Sequence, residues 1–173
     1  MSDLLELLKK AQVLSPKLFD EKPIIALYGR FQTGKSTLIN CLFNRYVALT
    51  GKGLATTSLT ALYRYGEKEK LQYRRANGEL KDTTLAELND PSLLADVCSN
   101  GGFHIESCIP ASILKHCDIV DTPGFDANDS DTEAALSVLE NIHYVLFVMP
   151  NRELLAQEKT LLKELAEKKF LSL

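Results

Sequence analysis

Gly29, Gly34, Lys35 and Ser36 stand in the order Gly-x-x-x-x-Gly-Lys-Ser within the stretch GRFQTGKST. This is the Walker A pattern, and its chemistry is phosphate binding. The glycines let the backbone wrap tightly, so that its N–H groups turn inward toward phosphate oxygens. A helix starting at the end of the loop adds the positive end of its dipole. Lys35 is placed to reach the β- and γ-phosphates, and Ser36 to ligate Mg2+. The candidate nucleotide-binding segment is therefore Gly29, Arg30, Phe31, Gln32, Thr33, Gly34, Lys35, Ser36 and Thr37. A chance match is the bland alternative. The apolar, β-rich PIIALY before the loop and the helically spaced Leu38, Ile39, Leu42 and Phe43 after it argue against chance.

A phosphate loop also needs a carboxylate at the end of a neighbouring strand to orient the metal. In CDIVDTPG, Asp121 ends an apolar run and suits that role. Gly124 has no side chain to keep its N–H away from a γ-phosphate. Alone, DTPG reads as an ordinary turn. Downstream of a Walker A loop it points to a GTPase over a generic ATPase. A third element, a threonine that closes over Mg2+ and the γ-phosphate, is sought in GLATTSLT, where Thr56 is the first choice and Thr57 the second. Thr60 is read as a strand former. Lys35, Gln32 and Thr56 are the catalytic candidates, and Ser36, Thr56 and Asp121 the metal ligands.

These residues need a scaffold, and the bulk properties supply one. The 173 residues are 45% hydrophobic and 25% charged, the composition of one globular domain with a real core. A net charge of −3 gives no basic excess for nucleic acid. Cys41, Cys98, Cys108 and Cys117 lack CxxC or Cys/His metal spacing and read as reduced, mostly core thiols of a cytosolic protein. Helices are predicted over SDLLELLKKAQVL, after Asp90-Pro91, over SDTEAALSVLENI and over AQEKTLLKELAEKK. Strands are predicted in TSLTALYRYG, KLQYRRANGEL, FHIESCIP, CDIVDTPG and YVLFVMP, with a turn at Asn77-Gly78. Alternating strands and helices predict an α/β, three-layer P-loop domain with a mainly parallel sheet and an antiparallel middle hairpin. The first helix either packs on its own domain or docks elsewhere through Leu4, Leu7, Leu8 and Leu14.

Taken together, GRFQTGKSTLINCLFN, GLATTSLTALYRYG, DIVDTPGF and VLFVMPNRELLAQEKTLLKEL resemble the bacterial dynamin-like GTPases of the dynamin superfamily over residues 23 to about 170. Lys35 and Asp121 lie 86 positions apart, since 121 − 35 = 86, about twice the separation in a minimal small GTPase. The excess falls in the hairpin and the Asp90-Pro91 region, and it argues against a compact Era-type GTPase. The resemblance implies a G domain that binds and hydrolyses GTP to GDP with Mg2+. It also implies self-association through that domain and membrane-lipid contact through parts absent from this chain. The protein would be cytoplasmic or peripheral to a membrane. Residues 1–22 would form a neck-like helical segment, and 23–173 the G domain without its base-reading part.

Some positions depart from the family. Animal dynamins carry Gln-Ser where Phe31-Gln32 stand, and bacterial relatives often carry Phe-Ser. Gln32 supplies an amide that could orient water, or it is a neutral loop residue. Phe125 follows DTPG in place of the water-orienting Gln of Ras-type enzymes, so the sequence names no general base. Arg30 reads as an arginine finger or as a solvated rim charge. His104, His116 and His143 receive no role. The guanine-reading Asn/Thr-Lys-x-Asp motif does not occur in residues 150 to 173, where KKFLSL begins the expected strand. The expectation is a fragment of a longer protein with weak, poorly discriminating nucleotide binding. A non-catalytic nucleotide-dependent interaction module and a P-loop ATPase of another family are the competing readings.

Overall fold

The computed structural model describes residues 22–30, 32–48, 59–90, 92–93, 97, 103–124, 142–149 and 151–165. The predicted helix over 2–14 lies outside these residues, as do Phe31, Thr56, Thr57 and all of the predicted 130–142 helix but Ile142. So does the Asp90-Pro91 helix beyond Ser92 and Leu93. Its start is described: Asp90 Oδ1 accepts from the Ser92 N–H (2.9 Å) and hydroxyl (2.8 Å), as a cap should.

Among the described residues seven strands form one sheet in the order β4-β3-β5-β2-β6-β1-β7. The strands are β1 (Ile24–Tyr28), β2 (Ala61–Tyr65), β3 (Lys70–Arg74), β4 (Leu80–Asp82), β5 (Ile105–Ile109), β6 (Asp118–Asp121) and β7 (Tyr144–Phe147). Among the described residues two helices accompany them, α1 (Lys35–Phe43) and α2 (Ala156–Leu165). β1 lies between β6 and β7, parallel to both. β2 is parallel to β5 but antiparallel to β6. The sheet is thus mixed, with its parallel half around β1. The reason lies in the Pro110–Cys117 link, which holds a single 3-10 turn at Ser112–Lys115. Such a link is too short for the crossover that a parallel return demands.

The middle hairpin forms as the turn signal predicts. β3 and β4 pair antiparallel around Asn77-Gly78. Gly78 takes φ 86°, and its N–H bonds the Arg75 carbonyl at 2.8 Å. That left-handed residue lets the loop close with the twist the strands need.

Each face of the sheet has its own apolar cluster. Ile25, Leu27, Tyr63, Ile105 and Ile119 face α1, whose Ile39 and Phe43 are buried against them. The Phe43 and Tyr63 rings pack 5.5 Å apart. Ala26, Tyr28, Leu62, Val120 and Ile142 form the second cluster. β1 is buried on both faces, which explains its unbroken apolar run. Toward the β3 side the second face turns polar. Arg74, Glu106, Arg64, Asp118 and Lys22 form an alternating ladder of charge across four strands. The basic partners are partly exposed and the acidic ones largely buried, and solvent screening at the basic end holds each pair to about 1 kcal/mol or less. Among the cysteines, Cys117 is buried while Cys41 is exposed on α1. No described helix is long and apolar enough to cross a membrane.

Candidate nucleotide site

The loop between β1 and α1 is shaped by close approach and by left-handed backbone. A Cβ on Gly29 would fall well under 3.0 Å from the Val148 carbonyl oxygen, at the end of β7. Gln32 (φ 61°) and Gly34 (φ 92°) both lie in the left-handed region, and they turn the chain back over itself. Thr33 stabilises that turn by donating its hydroxyl (2.8 Å) and N–H (3.3 Å) to the Arg30 carbonyl.

Gly34 caps α1 without a side-chain hydrogen bond, and the first turn holds no acidic residue. The helix therefore presents its positive end and its open N–H groups to the loop. Lys35 is buried, and its ammonium donates to the carbonyls of Gly29 (2.8 Å) and Arg30 (3.0 Å). The loop is wrapped around its own cation. Such an arrangement binds anions: N–H groups, a helix end and an ammonium converge with no carboxylate in the loop.

Across the sheet, β6 brings Asp121 beside Leu27 of β1. Ser36 Oγ donates to Asp121 Oδ2 at 2.8 Å. Asp121 Oδ1 is buried and has no hydrogen-bond partner among the described residues. Burial raises the Asp121 carboxyl to about 6, while the Ser36 hydrogen bond and the Lys35 charge act in the opposite direction. The folded chain therefore holds this proton more tightly than the unfolded chain does. Stability from this group is present below the unfolded value of 3.8 and is lost as pH rises toward 6. In the metal-free chain, Asp121→Asn should gain melting temperature over the parent as pH rises from 4 to 7. A pH-independent difference in thermal unfolding would count against it.

The structure thus brings together Gly29, Arg30, Thr33, Gly34, Lys35, Ser36 and Asp121. Gln32 takes part through its backbone, and its side chain is exposed. Thr37 is exposed in the first turn of α1, and Gly124 lies in the coil after β6. Arg30 supplies its carbonyl, and its charge reaches Glu158 on α2. There the Arg152 hydrogen bonds, the Leu155 N–H and finally Arg30 hold the carboxyl below its usual range. Thr60, read from the sequence as a strand former, is fully buried immediately before β2 rather than within it.

Sequence reading missed two anchors. Thr122 of DTPG is buried and donates its hydroxyl to the Leu27 carbonyl at 2.8 Å, tying the Asp121 loop to β1. His104 accepts the Thr60 N–H through Nδ1 at 3.0 Å. Burial lowers the His104 pKa, which keeps the neutral acceptor that this bond needs. The threonine inside DTPG was a visible signal, since a hydroxyl at a strand end seeks a backbone partner. The histidine, isolated in sequence, gave none.

Comparison with known proteins places this geometry. A model of the dynamin family matches residues 25–172. The chain belongs to the dynamin family. It is 32% identical over 130 residues to dynamin-like protein 2 of Campylobacter jejuni subsp. jejuni serotype O:23/36 (strain 81-176). That match covers 75% of this chain and 21% of the relative. Two solved structures resemble it, both from work on an oligomerised bacterial dynamin pair said to provide a mechanism for long-range sensing and tethering of membranes. One has a TM-score of 0.63 at 23% identity, over 88% of this chain and 24% of that one. The other has a TM-score of 0.53 at 27% identity, over 83% of this chain and 22% of that one. The chain therefore spans about a quarter or less of each dynamin relative named. The family match sets aside the compact Era-type alternative.

Proposed function

We propose that this chain is the phosphate-binding part of a dynamin-like G domain that binds and hydrolyses GTP with Mg2+. The observation that carries the reading is the loop closed on the Lys35 ammonium, with Ser36 and Asp121 joined at its mouth.

A hydroxyl and a carboxylate with one unpartnered oxygen are hard oxygen donors that fit Mg2+. The cation would be held by Ser36, Asp121 and Thr56, and would neutralise charge on the phosphates. The protein's own part is positional. The α1 N–H groups and Lys35 orient the terminal phosphates and stabilise charge that builds on them. Burial of Lys35 strengthens that effect by keeping water away. Gln32 is the candidate for orienting water, and Gly124 for an N–H at the γ-phosphate.

In the full-length protein, residues 1–22 would act as a neck-like helix docking through Leu4, Leu7, Leu8 and Leu14. Hydrolysis would be coupled to membrane association or remodelling and to self-association through the G domain. The protein would be cytoplasmic, meeting the membrane peripherally. The words used of the solved relatives, an oligomerised pair that senses and tethers membranes, support that direction.

Phosphate release from GTP by the full-length protein, with Mg2+ or with EDTA, tests the reading. Release should require Mg2+, and a tenfold excess of ATP should not compete. Binding without release would leave a non-catalytic interaction module, and equal competition by ATP would sink the guanine assignment.

A further inference from the structure

We propose that His104 is a positioning residue for the metal side of the site, acting through the start of β2. This deepens the reading above and rests on it.

The topology puts His104 at the right end of the sheet. β2 and β5 run opposite to β1 and β6, so they begin where β1 and β6 end. Leu27, Asp121, Ala61 and Ile105 are successive partners in one row across these four strands. Thr60 and His104 stand immediately before Ala61 and Ile105, one step nearer the phosphate loop.

Beyond that row the ladder gives out and side chains take over. Thr122 turns its N–H (3.4 Å) and its hydroxyl (2.8 Å) to the Leu27 carbonyl. The N–H of fully buried Thr60 goes to His104 Nδ1 at 3.0 Å, not to a strand carbonyl. The Thr60 carbonyl accepts the N–H groups of His104 (2.9 Å) and Ile105 (3.0 Å). Thr60 is therefore gripped at both of its backbone groups. The grip is itself anchored, because the Arg74 N–H donates to the His104 carbonyl at 2.8 Å. Nδ1 accepts only in a neutral ring with its proton on Nε2, and burial favours the neutral ring. Without the imidazole a buried N–H would be left unmade, which is costly, and the start of β2 would shift to relieve it.

The proposed metal ligands depend on this joint. Ala61, the next residue, is the β2 partner of Asp121. Thr56 stands just upstream of Thr60 in the sequence. The phosphate loop and Lys35 lie on the far side of β6, at β1 and α1. Loss of the His104 bond should therefore disturb the cation and spare the phosphate contacts.

Two substitutions in the full-length protein test this. His104→Phe keeps a ring and removes the acceptor, while His104→Asn keeps an acceptor near the place of Nδ1. The readouts are GTP turnover across a MgCl2 titration and binding of fluorescent mant-GDP in EDTA. His104→Phe should lower kcat about tenfold, less than the roughly 10²-fold that a 1 Å misplacement can cost. The Mg2+ needed for half-maximal turnover should rise with it. KM for GTP and mant-GDP affinity in EDTA should stay within about twofold of the parent, as for an interaction that matters after substrate is bound. His104→Asn should restore kcat to within about threefold of the parent. Unchanged turnover in His104→Phe, a change in KM as large as that in kcat, or an equal loss in His104→Asn overturns the role of His104. So does a His104→Phe protein that fails to fold, because the bond then serves the fold alone. Failure of the parent itself to release phosphate from GTP with Mg2+ overturns the proposed function, and this role with it.

Discussion

Lys35→Ala should lower GTP turnover by about 10²–10³-fold or more, the loss expected on removing one preorganised charge-stabilising donor. Two effects combine. The ammonium is the cation of the loop, and removing it takes away the charge aimed at the terminal phosphates. It is also a structural tie, because its bonds to the Gly29 and Arg30 carbonyls hold the two ends of the loop together. Without it, two carbonyl oxygens turn toward the space where phosphate oxygens must lie, and they repel them. Lys35→Met removes both the charge and the tie but keeps the apolar stem, so it separates loss of the ammonium from loss of side-chain packing. Lys35→Arg should not rescue, because a planar guanidinium cannot enter a buried slot built for a compact ammonium. Phosphate release measured beside circular dichroism distinguishes lost chemistry from lost fold. Turnover within twofold of the parent in folded Lys35→Ala would mean that the loop does not act on phosphate.

Most of the site was legible in the sequence because its geometry is local. The β1 run, the loop and the start of α1 are consecutive, and each obeys its own rule: an apolar strand, left-handed turn residues, helical spacing. Asp121 could be placed beside Ser36 from 85 positions away because a strand ending in a carboxylate has few places to go in an α/β sheet. The Asn77-Gly78 hairpin was equally local. What escaped depends on neighbours that only the assembled sheet supplies. The insertion of β5 between β3 and β2, and the antiparallel meeting of β2 with β6, follow from a short link rather than from any residue pattern. His104 acquires a purpose only once Thr60 arrives beside it. Besides Thr122, one more miss was avoidable. Thr84 and Glu87 cap each other across the turn before the short 3-10 helix at Glu87–Asn89. Their Thr-x-x-Glu spacing is a capping box visible in the sequence.

Gly29→Ala should destabilise the chain by about 3 kcal/mol or more, in the upper range for single substitutions. The equivalent fall in melting temperature is about 6–12 °C at this chain length. The added methyl would meet backbone, which cannot swing aside as a side chain can. Its obstacle, the Val148 carbonyl, belongs to a peptide already pinned, because the Val148 N–H bonds the Tyr28 carbonyl at 2.7 Å. Tyr28 and Phe147 are paired just before it in the β1–β7 register. Relief therefore requires β7 to pull away from β1, or the loop to lift. If the loop lifts, the Gly29 carbonyl moves off the Lys35 ammonium, so nucleotide binding should fall with stability. Gly34→Ala is the informative contrast. A Cβ there meets nothing within 4 Å, and the penalty comes from its φ of 92° alone. Strain of that kind is worth about 1–2 kcal/mol. Thermal unfolding of the two variants side by side should rank Gly29→Ala as clearly the more damaging. The reverse order, or a Gly29→Ala protein melting within two degrees of the parent, would show that β7 does not press on the loop. In that case the packing of β7 on β1 would not set the position of the lysine.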